Sequence, residues 1–314
     1  MPSFACAVSG APHGGLRLDR YVAENLRLLS RSQIKARGLG ARVNGREARV
    51  SHPVRNGDRL ELSWMEPDPA NLVPEDIPLD IMYEDDRAVV VNKPQGMVVH
   101  PGAGNWRGTL ANALYHRRLG LGGSPETGGL RPGIVHRLDK DTSGVMVAAY
   151  DDEALAFLAG QFKSGKAGKK YVAIVCGVPR ERRGRVETFI ARDPKNRKRF
   201  AVAGRGRAAL TLYSVLRAWQ RHSLVLLRPR TGRTHQLRVH MRHLGHPIVG
   251  DPIYGFSDPM FPGAGLMLHA RSLAIVMPGG GFGERPPGEC IFKAPLPRRF
   301  GEMIRRLDSC RLDN

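Results

Sequence analysis

Cysteine is scarce in this chain: four residues in 314, at Cys6, Cys176, Cys290 and Cys310, with no CxxC spacing. That argues against a zinc ribbon, a dithiol redox pair or a disulfide framework, and fits a reducing compartment. No apolar run approaches the roughly 18 residues of a membrane-spanning helix. The opening residues lack the basic start and apolar block of a secretory leader, so none is expected. Acidic residues are outnumbered: 29 Asp and Glu face 49 Lys and Arg, for a net charge of +20. Such an excess points to a polyanionic partner, and alone does not separate RNA from DNA or from an anionic membrane face. The 37 Gly and 23 Pro make the chain loop-rich without reaching the composition of a disordered one. The length allows one large domain or two unequal ones.

Four segments follow from the pattern. Residues 1–15 read as a flexible N-terminus. Residues 16–63 read as a small basic unit. Leu16, Leu18, Tyr21, Val22 and Leu26 recur near helical spacing, with Arg17, Arg20 and Arg27 alongside. Ser30 is a candidate N-cap for a second helix over Arg31–Arg37. Asn44-Gly45 is a hairpin-turn signal, and residues 58–64 read as a strand. Residues 64–78 carry Pro67, Pro69, Pro74 and Pro78 among Glu66, Asp68, Glu75 and Asp76, which predicts a stiff acidic linker.

Residues 79–314 read as one α+β domain. Val-rich stretches at 87–92, 144–150, 171–177, 210–219 and 222–229 predict strands. Residues 151–165 predict a helix with an Asp N-cap and a stop at Gly165. Residues 234–245 predict another, capped by Thr234 and closed by Gly245. Strands that follow one another without intervening helices predict a mixed, mainly antiparallel sheet.

Several motifs fail on inspection. Gly160–Ala167 nearly spells a phosphate-binding loop, but Ala167 stands where a Mg²⁺-binding hydroxyl is needed and a helix precedes it. Lys163 and Lys166 within it, with Lys169 and Lys170 just after, suit a nucleic-acid contact better. His235, His240, His243 and His246 are dense enough to suggest a metal, yet Arg238 and Arg242 interleave with them and no Cys or carboxylate lies within the cluster. The expectation is no metal, with these rings hydrogen-bonded to backbone or RNA. The sequence HRLDKDTSG superficially matches a kinase catalytic loop, but its aspartate is displaced by one and the downstream Asn is absent.

Three segments hold together better. Gly133–Tyr150 presents Arg137, Asp139, Lys140 and Asp141 in a turn just before a hydrophobic strand. Neighbouring cations favour the ionised form of a carboxylate, which suits a nucleophile or an electrostatic group. The bland alternative is a surface salt-bridge cluster. Tyr171 heads a strand, where an aromatic is usually core but at the edge of a basic cleft can stack on a base. Arg228–Gly255 places Arg230, Arg233 and Arg238 around a rigid Pro229/Gly232 turn, and Arg pairs bidentately with carboxylate or phosphate.

Together these residues resemble the RluA family of pseudouridine synthases. HRLDKDTSG is similar to the family signature, and the blocks at 83–102, 108–114, 193–202 and 230–255 follow in family order. The leading unit, with SRSQIK and VNG, resembles an S4 RNA-binding domain. The resemblance implies a catalytic domain over 79–314 with a central cleft, acting on RNA without cofactor. It implies Asp139 as catalytic carboxylate, Arg233 paired with it, Tyr171 stacked on the target base, and Arg137 filling the gap left when the nucleotide flips out. Flipping costs a few kcal/mol, least at weakly paired sites. The basic residues Lys169, Lys170, Lys195, Arg197, Lys198 and Arg199, with Arg17, Arg20, Arg31, Arg37, Arg42 and Arg46 of the leading unit, are expected to track phosphates.

The expected partner is RNA, ribosomal RNA of the large subunit first and transfer RNA as the alternative. No DNA, membrane or metal is expected, and a cytoplasmic monomer is the default. Two rivals stand beside this reading. One is a non-catalytic RNA-binding or ribosome-assembly factor. The other is a base glycosylase or hydrolase using Asp139 and Asp141 as a carboxylate pair. The second is disfavoured because flanking cations ionise both acids, whereas such enzymes want one protonated.

Overall fold

The computed structural model describes residues 3–26, 28–29, 34, 38–64, 72–102, 105–122, 133–194, 196, 199–256, 258–279 and 288–310. The chain divides into two units, residues 1–71 and 72–314.

In the first unit, β1 (Ser3–Ala7), β3 (Gly40–Val43), β4 (Arg46–Glu47) and β6 (Arg59–Ser63) form a sheet in the order β1-β6-β3-β4. The short strands β2 (Leu16–Arg17) and β5 (Pro53–Val54) pair separately. Asn44 and Gly45 both take positive φ, 52° and 77°, the two-residue turn that their sequence predicts. The predicted first helix begins two residues late, at Leu18–Arg20, and continues as a wider π-helical turn over Tyr21–Asn25. Leu18, Tyr21 and Val22 pack into one buried cluster with Val54, Leu60 and Leu62.

Two boundaries differ from expectation. The leading residues are not simply a loose end, because Ser3–Ala7 pairs in register with Arg59–Ser63. The strand signal was weak there, since its residues alternate only between exposed and half-buried. The second half of the expected linker belongs to the second unit. Leu72 is buried, Val73 O accepts from Asn112 Nδ2 at 2.9 Å, and Glu75 N donates to Asn112 O at 3.2 Å. Residues 65–71 and most of the predicted helix at 31–37 lie outside the described residues.

The second unit is built on a mixed, mainly antiparallel sheet, as expected. Its strands are β7 (Ile81–Glu84), β8 (Ala88–Lys93), β9 (Gly133–Ile134), β10 (Ser143–Ala149), β11 (Gly168–Cys176), β12 (Arg183–Arg192), β13 (Phe200–Ala203), β14 (Arg207–Ala218), β15 (His222–Pro229), β16 (Leu268–Val276) and β17 (Glu289–Lys293). Their order is β13-β12-β14-β15-β11-β16-β10-β8-β7, with β9 on β10 and β17 on β16. The two halves join through one parallel contact, where Ser143 and Gly144 of β10 meet His269 and Ala270 of β16. Gly144 sits at φ +119°, and a Cβ there would lie 2.2 Å from the Ala270 carbonyl oxygen. Only glycine lets the strands approach this closely. The join falls four residues after Asp139, so the loop carrying that carboxylate is anchored at the seam of the sheet.

One helix packs on β10 and β16 and another on β13 and β14. Asp152–Lys163 starts at Asp151, whose side chain accepts from Ala154 N at 2.7 Å, and closes before Gly165 at φ +74°. Gln236–His243 departs from expectation at its start. Its N-cap is His235 in the left-handed region, not Thr234, and no side chain caps it. The helices Leu110–Gly120 and Arg298–Ser309 were not anticipated. The latter is amphipathic, burying Phe300, Met303 and Leu307 in a cluster with Val172, Ile174, Leu227 and Met241. Among the described residues no helix is long and apolar enough to cross a membrane.

Because Phe300 is fully buried in this cluster, Phe300→Ala is expected to destabilise the second unit by about 3–5 kcal/mol. Urea unfolding of the full chain measures this. A loss under ~1 kcal/mol would mean that the helix is not integral to the core.

Candidate active site

A cavity of 670 Å³ opens beside the sheet seam. The loop before β10 supplies Arg137, Leu138 and Asp139. The end of helix Asp152–Lys163 supplies Phe162 and Lys163, β11 supplies Lys169 and Tyr171, and the segment Pro229–Arg238 closes the remaining wall. The three sequence segments singled out for chemistry therefore converge on one pocket.

Asp139 is held by one residue and faced by a second. Its Oδ2 accepts a hydrogen bond from Arg238 Nη1 at 3.0 Å. Its Oδ1 lies 3.8 Å from His235 Nε2. Arg238 is itself buried and clamped by Asp251, Nε to Oδ2 and Nη2 to Oδ1 both at 2.7 Å. Asp251 Oδ1 also accepts the backbone N–H groups of Ile253 and Tyr254, each at 2.9 Å. Burial alone would raise the Asp251 carboxyl, but the Arg238 fork and the two N–H donors outweigh it and hold the group below its usual range. Burial likewise opposes the Arg238 charge, and the two aspartates more than offset that.

Beneath the loop, the fully buried Lys93 Nζ donates to the carbonyls of Pro94 and Met97 at 2.8 Å and of Lys140 at 3.1 Å. Burial pushes its ammonium down to about 8, against the pull of Asp141 and Asp139. Lys93 thus ties the strand end of β8 to the loop that carries the carboxylate.

The expected Arg233–Asp139 pair does not form. Arg233 Nε donates to Ala208 O at 2.9 Å, and its backbone N–H is taken by Gln236 Oε1 at 3.0 Å. Arg233 stands in the turn and leans on β14, whereas Arg238 lies within the helix and points inward to the carboxylate. Arg233 still lines the pocket, beside Lys169. Burial, then the Arg233 charge, lowers the Lys169 ammonium.

Tyr171 is half-buried on the pocket wall, and burial, with Asp139 adding to it, raises its phenol and keeps it protonated. Arg137 is exposed at the rim. The histidine cluster is dispersed among different partners. His240 contacts Thr188 Oγ1 through Nε2 (3.0 Å) and Thr211 Oγ1 through Nδ1 (2.9 Å). His246 Nδ1 meets the carbonyl of Cys176 at 3.0 Å, and His235 faces Asp139. Among the described residues, the three-donor grouping close enough for a metal is Cys176, His222 and Asp258, at the other end of β11 from Tyr171. There His222 Nε2 and Asp258 Oδ2 are already 2.6 Å apart as a hydrogen bond.

The expected RNA contacts divide. Lys170, Arg42 and Arg46 are exposed, while Arg17 pairs with Asp19 and Arg20 with Glu24, each at 3.0 Å. Arg199 covers the Tyr254 ring at 5.5 Å. Arg31, Arg37, Lys195, Arg197 and Lys198 lie outside the described residues. Asp251, His235, Tyr254 and Lys93 escaped the sequence reading as site residues. The one available signal was an acid thirteen positions after Arg238 within the same block.

Comparison with known proteins converges on one family. A family profile described as RNA pseudouridylate synthase matches residues 87–243. The chain is 43% identical over 294 residues to a protein of Borreliella burgdorferi named ribosomal large subunit pseudouridine synthase D, covering 91% of this chain and 87% of that one. It is 45% identical over 253 residues to a protein of the same name from Zymomonas mobilis, covering 77% and 78%. Among solved structures, human RNA pseudouridylate synthase domain containing 4 superposes with a TM-score of 0.56 at 30% identity, over 73% of this chain and 92% of that one.

The charge network predicts an acid limit to stability. Asp251 has a depressed folded value, so its stabilisation is present above about pH 4 and is lost as pH falls further. His240 and His269, both buried, are pushed down to about 4 by desolvation, so the unfolded chain takes up protons first once pH drops below about 6.5. The thermal midpoint should therefore decline steadily from about pH 6.5 downward. Asp251→Asn should cost about 3–5 kcal/mol at neutral pH, because it leaves Arg238 without its fork. Calorimetry across pH measures both. An unchanged midpoint for the variant at neutral pH would contradict the account.

Proposed function

From its place in the RNA pseudouridylate synthase family, to which this chain belongs as an RNA pseudouridine synthase, we propose that Asp139 is the catalytic carboxylate and that large-subunit ribosomal RNA is the substrate. The observation that carries the first part is the ion-paired Asp139, among the described residues the one carboxylate of a pocket whose wall also carries Arg137, Lys163, Lys169, Arg230 and Arg233. A polyanion enters such a pocket readily, and a single fixed carboxylate then meets the nucleotide at its sugar–base junction.

The reaction breaks the N1–C1′ bond of uridine, reorients the uracil and joins C5 to C1′. C5 loses its hydrogen as a proton and N1 gains one, so the product is an isomer. Nothing is oxidised or reduced. In this reading Asp139 acts on the reacting nucleotide through the oxygen not held by Arg238. Tyr171, neutral and half-buried, stacks on the uracil, a contact worth ~1–3 kcal/mol. Arg137 at the rim enters the space that the flipped nucleotide leaves. Arg233 and Lys169, two neighbouring cations on the pocket wall, take the phosphates beside it.

The choice of large-subunit ribosomal RNA is supported by the names of the Borreliella burgdorferi and Zymomonas mobilis relatives. It puts the reaction in the cytoplasm, with transfer RNA as the alternative substrate. The first unit is read as an S4-like RNA-binding domain. Its support is a small sheet with exposed Arg42 and Arg46 on a chain of net charge +20. Contacts of this kind raise affinity more than base specificity.

Release of tritium from RNA labelled at uridine C5 tests the reading. The wild type should release it from unmodified large-subunit RNA, and Asp139→Asn should fall by at least about 1,000-fold with RNA binding retained. Release from transfer RNA alone would reassign the substrate. Free uracil, or an active Asp139→Asn, would overturn the assignment.

A further inference from the structure

His235 has no part in the chemistry set out so far, yet several independent features meet on it. It is one of two non-glycine residues at positive φ among those described, at 56°. An L residue in that conformation is strained, and such strain persists only where the surroundings over-determine it. The backbone twist turns the imidazole away from its own helix and into the pocket, Nε2 toward Asp139 Oδ1 at 3.8 Å. The opposite ring nitrogen, Nδ1, lies 2.8 Å from the hydroxyl of the buried Tyr254.

Proton accounting then fixes the tautomer. The Tyr254 oxygen accepts the backbone N–H of Phe200 at 2.8 Å. The buried phenol has one hydrogen to give, and among the described residues His235 Nδ1 is the acceptor within its reach, so the hydrogen goes there. Nδ1 is therefore the acceptor, and the ring's single proton sits on Nε2, facing Asp139. The surroundings keep both groups neutral. Burial lowers the imidazole despite the opposing pull of Asp139, and burial raises the Tyr254 phenol. The charged groups around the ring are Asp139 and Arg137 from the loop before β10, Arg238 from its own helix and Asp251 from the segment after it. On the hairpin side, Arg192 covers Phe200, whose ring stands edge-on to the imidazole.

We propose that His235 is a positioning residue for Asp139, locked as the Nε2–H tautomer by the chain Phe200 N–H to Tyr254 O–H to His235 Nδ1. This rests on the reading of Asp139 as the catalytic carboxylate. Arg238 fixes Oδ2 through a full charge. His235 presents a neutral donor to Oδ1, the oxygen left to act, and orients it without neutralising it. The 3.8 Å gap is longer than a hydrogen bond, and such contacts tighten when substrate closes the site. The chain ends on a backbone amide, which cannot give up its proton under these conditions. It is a lock on orientation, not a path that carries the C5 proton to solvent.

Two measurements test this. Long-range ¹H–¹⁵N spectra of the full chain, with His235 assigned by its loss in His235→Gln, should show Nδ1 bare and Nε2 protonated from about pH 5 to 8. In Tyr254→Phe the lock is gone, so the ring should take up a second proton within that range, and the tritium-release rate should acquire an acid limb absent from the wild type. In single-turnover assays at saturating RNA, His235→Phe should be slower by about 100-fold, with RNA affinity within about twofold. His235→Gln, which keeps an N–H donor near the Nε2 position, should recover about tenfold of that. An Nδ1–H tautomer, a wild-type pH profile in Tyr254→Phe, or equal rates for the Phe and Gln variants would overturn the proposal. The spectra read the tautomer without activity. A correct tautomer in an enzyme whose Asp139→Asn variant stays active would sink the catalytic reading of Asp139 and leave the lock standing.

Discussion

One guanidinium lies between two carboxylates. Arg238 is gripped by Asp251 through a two-pronged fork and reaches on to Asp139 with its remaining nitrogen. Burying such a pair is not a route to stability, because desolvation of the ions offsets most of their attraction. What the arrangement supplies is position. Asp251 is fixed by two backbone N–H groups, so Arg238 cannot swing, and Asp139 inherits that rigidity. Two negative charges around one positive charge leave a net negative charge on the triad. The cations of the pocket wall supply its counterweight.

The rest of the second unit follows from where this triad must stand. Asp139 comes from the loop entering β10, and Arg238 from the helix after β15. These elements are far apart in sequence and on either side of the β10–β16 junction. Gly144 permits that junction, and Ser143 and Gly144 are the residues that make it. Lys93 steadies the loop from below through three carbonyl oxygens. A side chain at position 144 would separate the strands and carry the carboxylate loop away from Arg238.

Much of this was legible in the sequence because it was written in short-range chemistry. The Asn44-Gly45 turn, the Asp151 cap and the Val-rich strands each follow from a few adjacent residues. Convergence of the three basic segments on one pocket was legible through the family resemblance, since no local pattern brings Tyr171 to Asp139. The partner of Asp139 was not legible. Arg230, Arg233 and Arg238 share one stretch, and only the helix start decides which points inward. That start was itself misplaced, because His235 takes a left-handed conformation that no capping rule anticipates for it. The strand at Ser3–Ala7 was missed for a related reason: its partner lies over fifty residues away, and its own alternation is shallow.

The most direct measurement compares Arg238→Lys with Arg233→Lys in single-turnover tritium release at saturating RNA. Lysine keeps the charge and removes the fork, so it cannot hold both aspartates at once. Arg238→Lys should lose about 100-fold or more, and Arg233→Lys should stay within a few-fold of the wild-type rate, its effect falling on RNA affinity. The reverse order, with Arg233→Lys crippled and Arg238→Lys active, would show that Asp139 works with a different arginine from the one that holds it here.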